Sequence, residues 1–158
     1  MRAAARRSRT DAWCWALAVC GLVVAADQGA KAAVTASIAR GQEVNLALGF
    51  HLARVANHGV AFGFLGGGGP LVVAVTVAAL VFVLGWFALN PLRPGLWLAV
   101  GLIAGGALGN LADRARSGAV TDFIDPPLWP AFNLADVAIT VGAVVLVVIA
   151  LRPERGTG

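Results

Sequence analysis

The stretch from Leu71 to Leu89 reads LVVAVTVAALVFVLGWFAL, 19 residues without one charged side chain. A helix needs about 20 apolar residues to cross the roughly 30 Å of hydrocarbon in a bilayer. In water such a segment would expose apolar side chains on every face, so its natural solvent is lipid. Three further stretches have the same character, at about 12–34, 95–112 and 131–151. The whole chain agrees: 59% of its 158 residues are hydrophobic and 13% charged, with a mean hydropathy of +0.81. A soluble domain of this size has too little interior to hide that much apolar surface. The expected fold is a membrane all-α protein with a small β element. A single four-helix transmembrane domain over 1–158 leaves no room for a second, soluble one.

The net charge of +4 does not mark a nucleic-acid binder, because the basic residues sit beside apolar spans rather than on a soluble face. Cys14 and Cys20 fall on different faces of the first span and cannot pair within it. Arg2, Arg6, Arg7 and Arg9 precede an uncharged run from Ala12 to Ala26, which alone would read as a signal peptide. Three spans follow it, which favours a retained first helix. Asp27 and Lys31 end that span four residues apart, on one helix face. They can be a structural clamp or the anchor for the roof of a site.

The connection over 32–69 contains Val44, Leu46, Leu48, Phe50 and Leu52 alternating with Asn45, Ala47, Gly49, His51 and Ala53. That period of two predicts a strand, with a second extended piece near Val55 to Leu65 pairing with it. The strand-rich loop spans about 40–66. Gly66 to Gly69 then break the pattern as a lid hinge or a plain linker. In the third span Gly101, Gly105 and Gly109 recur at four-residue spacing, which lets helices approach closely in lipid. A polar loop follows Asp113 and Arg114, and Trp129 stands where an interfacial aromatic anchor is expected.

The N-terminus, the turn Asn90-Pro91-Leu92-Arg93-Pro94 and the C-terminus carry seven basic residues, against five on the other side. The positive-inside rule then puts both termini in the cytoplasm. As a consequence Asp27, Lys31, Asn57, His58, Asn110, Asp113, Arg114, Asp122, Asp125, Asn133 and Asp136 gather at the outer face. Ionisable groups beside hydrocarbon are expensive, so such a gathering marks a functional site. The acids outnumber what Arg114 and Arg116 can neutralise.

None of Ser8, Ser37 and Ser117 lies in a nucleophile-like turn. The cysteines are remote from either histidine, and His51 and His58 lack zinc-ligand spacing. Carboxylates with asparagine neighbours remain. Two carboxylates held close share a proton, so one takes a proton from water while the other donates one. Asp136 begins the fourth span with Asn133 one turn earlier, and Asp122 lies in the preceding loop. These residues alone do not choose Asp122 over Asp113 or Asp125.

The motifs resemble those of the lipoprotein signal peptidases (signal peptidase II). They are Asp27-Gln28-Gly29-Ala30-Lys31, Asn57-His58-Gly59-Val60-Ala61-Phe62, the run Gly105 to Arg114, Val120-Thr121-Asp122-Phe123-Ile124-Asp125 and Phe132-Asn133-Leu134-Ala135-Asp136. All five stand in the family's order. The resemblance implies a bacterial inner-membrane aspartic endopeptidase that cuts diacylglyceryl-modified prolipoproteins just before the lipidated cysteine, working among membrane lipid. It implies no cofactor, no metal and no obligate protein partner. Its catalytic pair falls on Asp122 and Asp136. Its pocket residues fall on Asn57, Asn110, Arg114 and Asn133, its first motif on Asp27 and Lys31, and Asp113 supports the site. It also implies an outer-face cradle of short strands. His58, where a small or polar residue is expected, is the one departure.

A small transporter is the main rival, but it would spread its acids through the membrane depth. A non-catalytic assembly factor would leave six outer acids unexplained. The orientation has a direct test. A reporter fused at Gly158 is expected in the cytoplasm and one inserted at 66–69 on the outer side; a cytoplasmic 66–69 insertion would reverse the topology.

Overall fold

The computed structural model describes residues 8–59 and 69–152. Four helices are long and apolar enough to cross a membrane: α1 (Arg9–Ser37), α2 (Gly69–Leu89), α3 (Leu96–Ser117) and α4 (Leu134–Leu151). Three short strands, β1 (Glu43–Asn45), β2 (His51–Asn57) and β3 (Val120–Asp125), form one antiparallel sheet in the order β1-β2-β3. The four-span architecture and the small sheet agree with the sequence reading. Arg2, Arg6, Arg7, Arg155, the extended piece beyond Gly59 and the glycines 66–68 lie outside the described residues.

Several boundaries differ from expectation, each for a local reason. Ser8 and Asp11 form a reciprocal capping box, so α1 starts at Arg9. It also continues past Lys31 to Ser37, because Val34 and Ile38 are buried against Phe123 of β3. Asp27 and Lys31 are therefore interior to the helix rather than at its end. α3 runs on through Asp113 and Arg114 to Ser117 and stops at Gly118, whose left-handed φ of 74° and N–H to the Arg114 carbonyl close the last turn. α4 begins at Leu134, with Asn133 extended as its N-cap.

The alternation over 44–52 is not one strand. It spans a hairpin in which Val44 pairs with Leu52 and Asn45 with His51. Phe50 N–H donates to the Ala47 carbonyl at 3.0 Å, and Leu48 and Gly49 both have positive φ, 56° and 80°. Positive φ at both central residues is the primed turn whose twist suits a hairpin. Leu48 occupies a position that costs a branched residue about 1–2 kcal/mol, which hid the turn from a pattern reading. The third strand lies in the segment expected to be polar loop, and Val120, Thr121, Phe123 and Ile124 give it high β propensity.

α3 is the central element. In its most apolar window 67% is buried, against 17% for α1, 11% for α2 and 22% for α4, so the outer three present most of their surface to lipid. Small residues make this possible. A Cβ on Gly101 would lie 2.8 Å from the Ala16 carbonyl of α1, and one on Gly105 2.7 Å from Val23. On the opposite side Gly106 meets the backbone carbonyl of Ala135 in α4. Away from the sheet, Phe87, Leu96, Ala99 and Val100 form a dry cluster with Ala12, Ala16, Val83 and Ile149.

Two glycines test this packing. Gly106→Leu must displace backbone, so it is expected to cost more than about 2 kcal/mol. Gly21 has open space around it, so Gly21→Ala should be neutral or stabilising by up to about 1 kcal/mol. Unfolding of each variant in detergent measures both.

Candidate active site

The polar residues of α1, α3, β3 and the start of α4 converge at the sheet end of the bundle. Lys31 is 4% exposed and Asp27 is 0% exposed. The Lys31 ammonium donates to Asp27 at 2.7 Å, Asp113 at 2.8 Å and Asn110 at 3.0 Å, which uses all three of its N–H groups. Asp27 also accepts the backbone N–H of Ala135 at 3.0 Å, one of the orphan donors in the first turn of α4. Gly109 permits this, since a Cβ there would lie 2.7 Å from the Asp27 carboxylate.

Asp136 is the third residue of α4 and closes a capping box with Asn133: its backbone N–H donates to the Asn133 side chain, and its carboxylate accepts the Asn133 N–H at 3.1 Å. Its other oxygen accepts Asn110 Nδ2 at 2.9 Å. Both carboxylate oxygens of Asp136 are thus held by donors at the start of α4.

Asp122 reaches the same place from the sheet. Phe132 forms a bridge with Ile124, with reciprocal backbone hydrogen bonds of 2.9 Å, so the loop after β3 doubles back and sets Asn133 beside Asp122. Asn133 Nδ2 donates to Asp122 at 2.6 Å, and Asn57 Nδ2 donates to its other oxygen at 2.9 Å. Asn57 faces Val120 across the β2–β3 pair, which makes Asp122 its diagonal neighbour on one face. Asn133 is hydrogen-bonded to both carboxylates and is fully buried. Asp122 is 1% exposed. Burial pushes its carboxyl up to about 6; the Asp136 charge adds to the rise, while the Asn57 and Asn133 donors and Lys31 oppose it.

The other candidates occupy different roles. Asp113 is engaged by Lys31, by Gln28 Nε2 at 2.9 Å and by the backbone N–H of Thr121 at 3.2 Å. It therefore pins β3, one residue before Asp122. Asp125 ends β3 opposite His51, and among the described residues it makes no hydrogen bond with the pair. Arg114 lies beside Gly59, and its buried Nε has no partner among the described residues. His58 is exposed. No three His, Cys, Asp or Glu side chains among the described residues are grouped as metal ligands.

Gln28, inside the first motif, also belongs to this network. Its Nε2 is shared among Asp113, Asp27 and the Gly109 carbonyl, and its Oε1 accepts from Arg116. The signal lay in its place next to Asp27, but nothing in one sequence shows that α3 supplies its partners.

Comparison with known proteins agrees with this geometry. Residues 19–152 match the family described as signal peptidase (SPase) II. The lipoprotein signal peptidase of Pelotomaculum thermopropionicum is 45% identical over 130 residues, covering 81% of this chain and 86% of that protein. That of Nitratidesulfovibrio vulgaris is 41% identical over 153 residues, covering 89% and 93%. A solved bacterial membrane enzyme superposes with a TM-score of 0.75 at 26% identity, over 88% of this chain and 94% of that one. A four-helix membrane protein with buried aspartates, matched over nearly its whole length by these relatives, belongs to the signal peptidase II family of aspartic-type lipoprotein signal peptidases.

Proposed function

We propose that Asp122 and Asp136 are the catalytic pair of a single four-helix peptidase domain that removes signal peptides from diacylglyceryl-modified prolipoproteins. The cut falls just before the lipidated cysteine, at the outer face of the bacterial inner membrane, with both termini cytoplasmic. The observation that carries this reading is Asn133, hydrogen-bonded at once to the Asp122 and Asp136 carboxylates. A lipid-modified peptide arrives through the bilayer, which suits a site at the end of the bundle.

The environments divide the labour. Burial raises the Asp122 carboxyl to about 6, which suits it to carry the proton of the pair, while Asp136, held by the Asn110 and Asn133 donors, serves as the base. Asp136 takes a proton from water as the oxygen attacks the scissile carbonyl, and Asp122 gives its proton to the carbonyl oxygen. On collapse of the resulting gem-diol, Asp136 passes its proton to the leaving nitrogen and the C–N bond breaks. A gem-diol hydroxyl returns a proton to Asp122. Arg114, whose Nε has no partner among the described residues, binds a substrate carbonyl oxygen, and Asn57 and Asn110 line the pocket. Asp27, Lys31 and Asp113 position the strand and helix that carry the pair.

Cleavage of a diacylglyceryl-modified precursor by protein purified in detergent tests the assignment. Asp122→Asn and Asp136→Asn should each bind precursor but lose about 10²–10⁴-fold in rate. Asp113→Asn and Asp125→Asn should lose less. Near wild-type cleavage by folded Asp122→Asn would discard the pair.

The pH dependence has a definite sign. Between 3.8 and about 6 the folded protein keeps a proton on Asp122 that the unfolded chain gives up. Raising the pH through that window therefore lowers stability, and Asp122→Asn should abolish this slope. Activity should fall on the alkaline side as Asp122 ionises. Asn57→Ala removes a donor to the charged form and should move that limb to higher pH, read from kcat/KM against pH.

A further inference from the structure

At the end of the bundle away from the carboxylates, the α2 and α4 backbones stand apart: no Cα of one lies within 8 Å of a Cα of the other. Between them is a groove of about 620 Å³ lined by Val81, Phe82, Gly85 and Trp86 of α2 and Leu146 and Val147 of α4, among others. Its volume falls in the range of a ligand pocket, and its walls are apolar. Its mouth is not. The Arg93 guanidinium lies 5.6 Å from the Trp86 ring centroid. It is tethered there by Nη2 donating to the carbonyls of Ile149 at 2.8 Å and Arg152 at 3.2 Å. Arg152 itself is exposed just past the end of α4.

An apolar slot with Arg93 held against its Trp86 wall and Arg152 exposed just past the end of α4 has the chemistry of a phospholipid site. We propose that this groove binds an anionic phospholipid, with an acyl chain along Phe82, Gly85 and Val147 and the phosphate at Arg93 and Arg152. The charge decides between occupants. A signal peptide also offers an apolar segment, but its flanking n-region is basic and would be repelled by the same arginines. A zwitterionic lipid gains little from them, whereas each basic residue near an anionic headgroup contributes about 1 kcal/mol, roughly fivefold in binding. The basic-residue count puts this mouth at the cytoplasmic leaflet, where anionic lipid attracts juxtamembrane cations. The proposal does not rest on the catalytic assignment.

The test uses the full chain in phosphatidylcholine vesicles doped with acyl-brominated phosphatidylglycerol or acyl-brominated phosphatidylcholine. With Trp13, Trp15, Trp97 and Trp129 replaced by Phe, bromine quenches the remaining Trp86 fluorescence when a chain enters the groove. Phosphatidylglycerol should be preferred at least about fivefold. Gly85 has open space around it, so Gly85→Leu should fold, fill the groove and remove the preference. Arg152→Gln should reduce it about fivefold, and both variants should still cleave modified precursor. Equal quenching by the two lipids, a preference that survives Gly85→Leu, or one that Arg152→Gln leaves undiminished would overturn the proposal. Displacement of the phosphatidylglycerol by a basic signal peptide would overturn it too, by giving the groove to substrate.

Discussion

A single buried ammonium organises the site end of this protein. Taking a lysine out of water is costly unless its charge is paired and its N–H groups are used. Lys31 meets both conditions through Asp27, Asp113 and Asn110. Each partner then reaches a different element. Asp27 caps α4 through Ala135 N–H, Asp113 holds β3 through Thr121 N–H, and Asn110 holds the Asp136 carboxylate. Removing the ammonium would leave two buried carboxylates uncompensated, and the helices and strand that carry the acids would lose their common anchor.

That network requires backbones closer than side chains ordinarily allow. The glycines of α3 supply the room on two sides, toward α1 at Gly101 and Gly105 and toward α4 at Gly106. Gly109 has a different part, since the space it leaves is taken by the Asp27 carboxylate. Packing and electrostatics are thus one arrangement: a close α1–α3 contact is what lets a side chain on α1 reach the first turn of α4. In lipid, where apolar burial gives no drive for helices to associate, such packing and polar contacts hold the bundle together.

The two aspartates are chemically alike and are made different by position. Asp136 sits in the first turn of α4 with donors on both oxygens. Asp122 is drawn from a strand into a buried pocket, where desolvation outweighs the donors from Asn57 and Asn133. Asn133 caps the helix and bonds to both acids, so helix initiation and site assembly are the same event.

The sequence by itself determined the four spans, because lipid solvation depends on the length and composition of a segment and not on its neighbours. It also determined that the acids and asparagines gather at one end, since charges are tolerated only near span ends. The family motifs marked Asp122 and Asp136, but the residues alone left Asp113 and Asp125 open beside Asp122. Tertiary structure separated their surroundings: Asp113 is saturated by Lys31, Gln28 and a strand N–H, whereas Asp122 shares Asn133 with Asp136. The hairpin turn at Leu48 and Gly49, the strand at Val120 to Asp125 and the role of Gln28 were equally hidden. Each depends on partners 8 to 88 residues away in the chain or on a left-handed leucine that local preference disfavours. Local chemistry fixes what a segment can be, and only long-range contact decides which polar atoms meet.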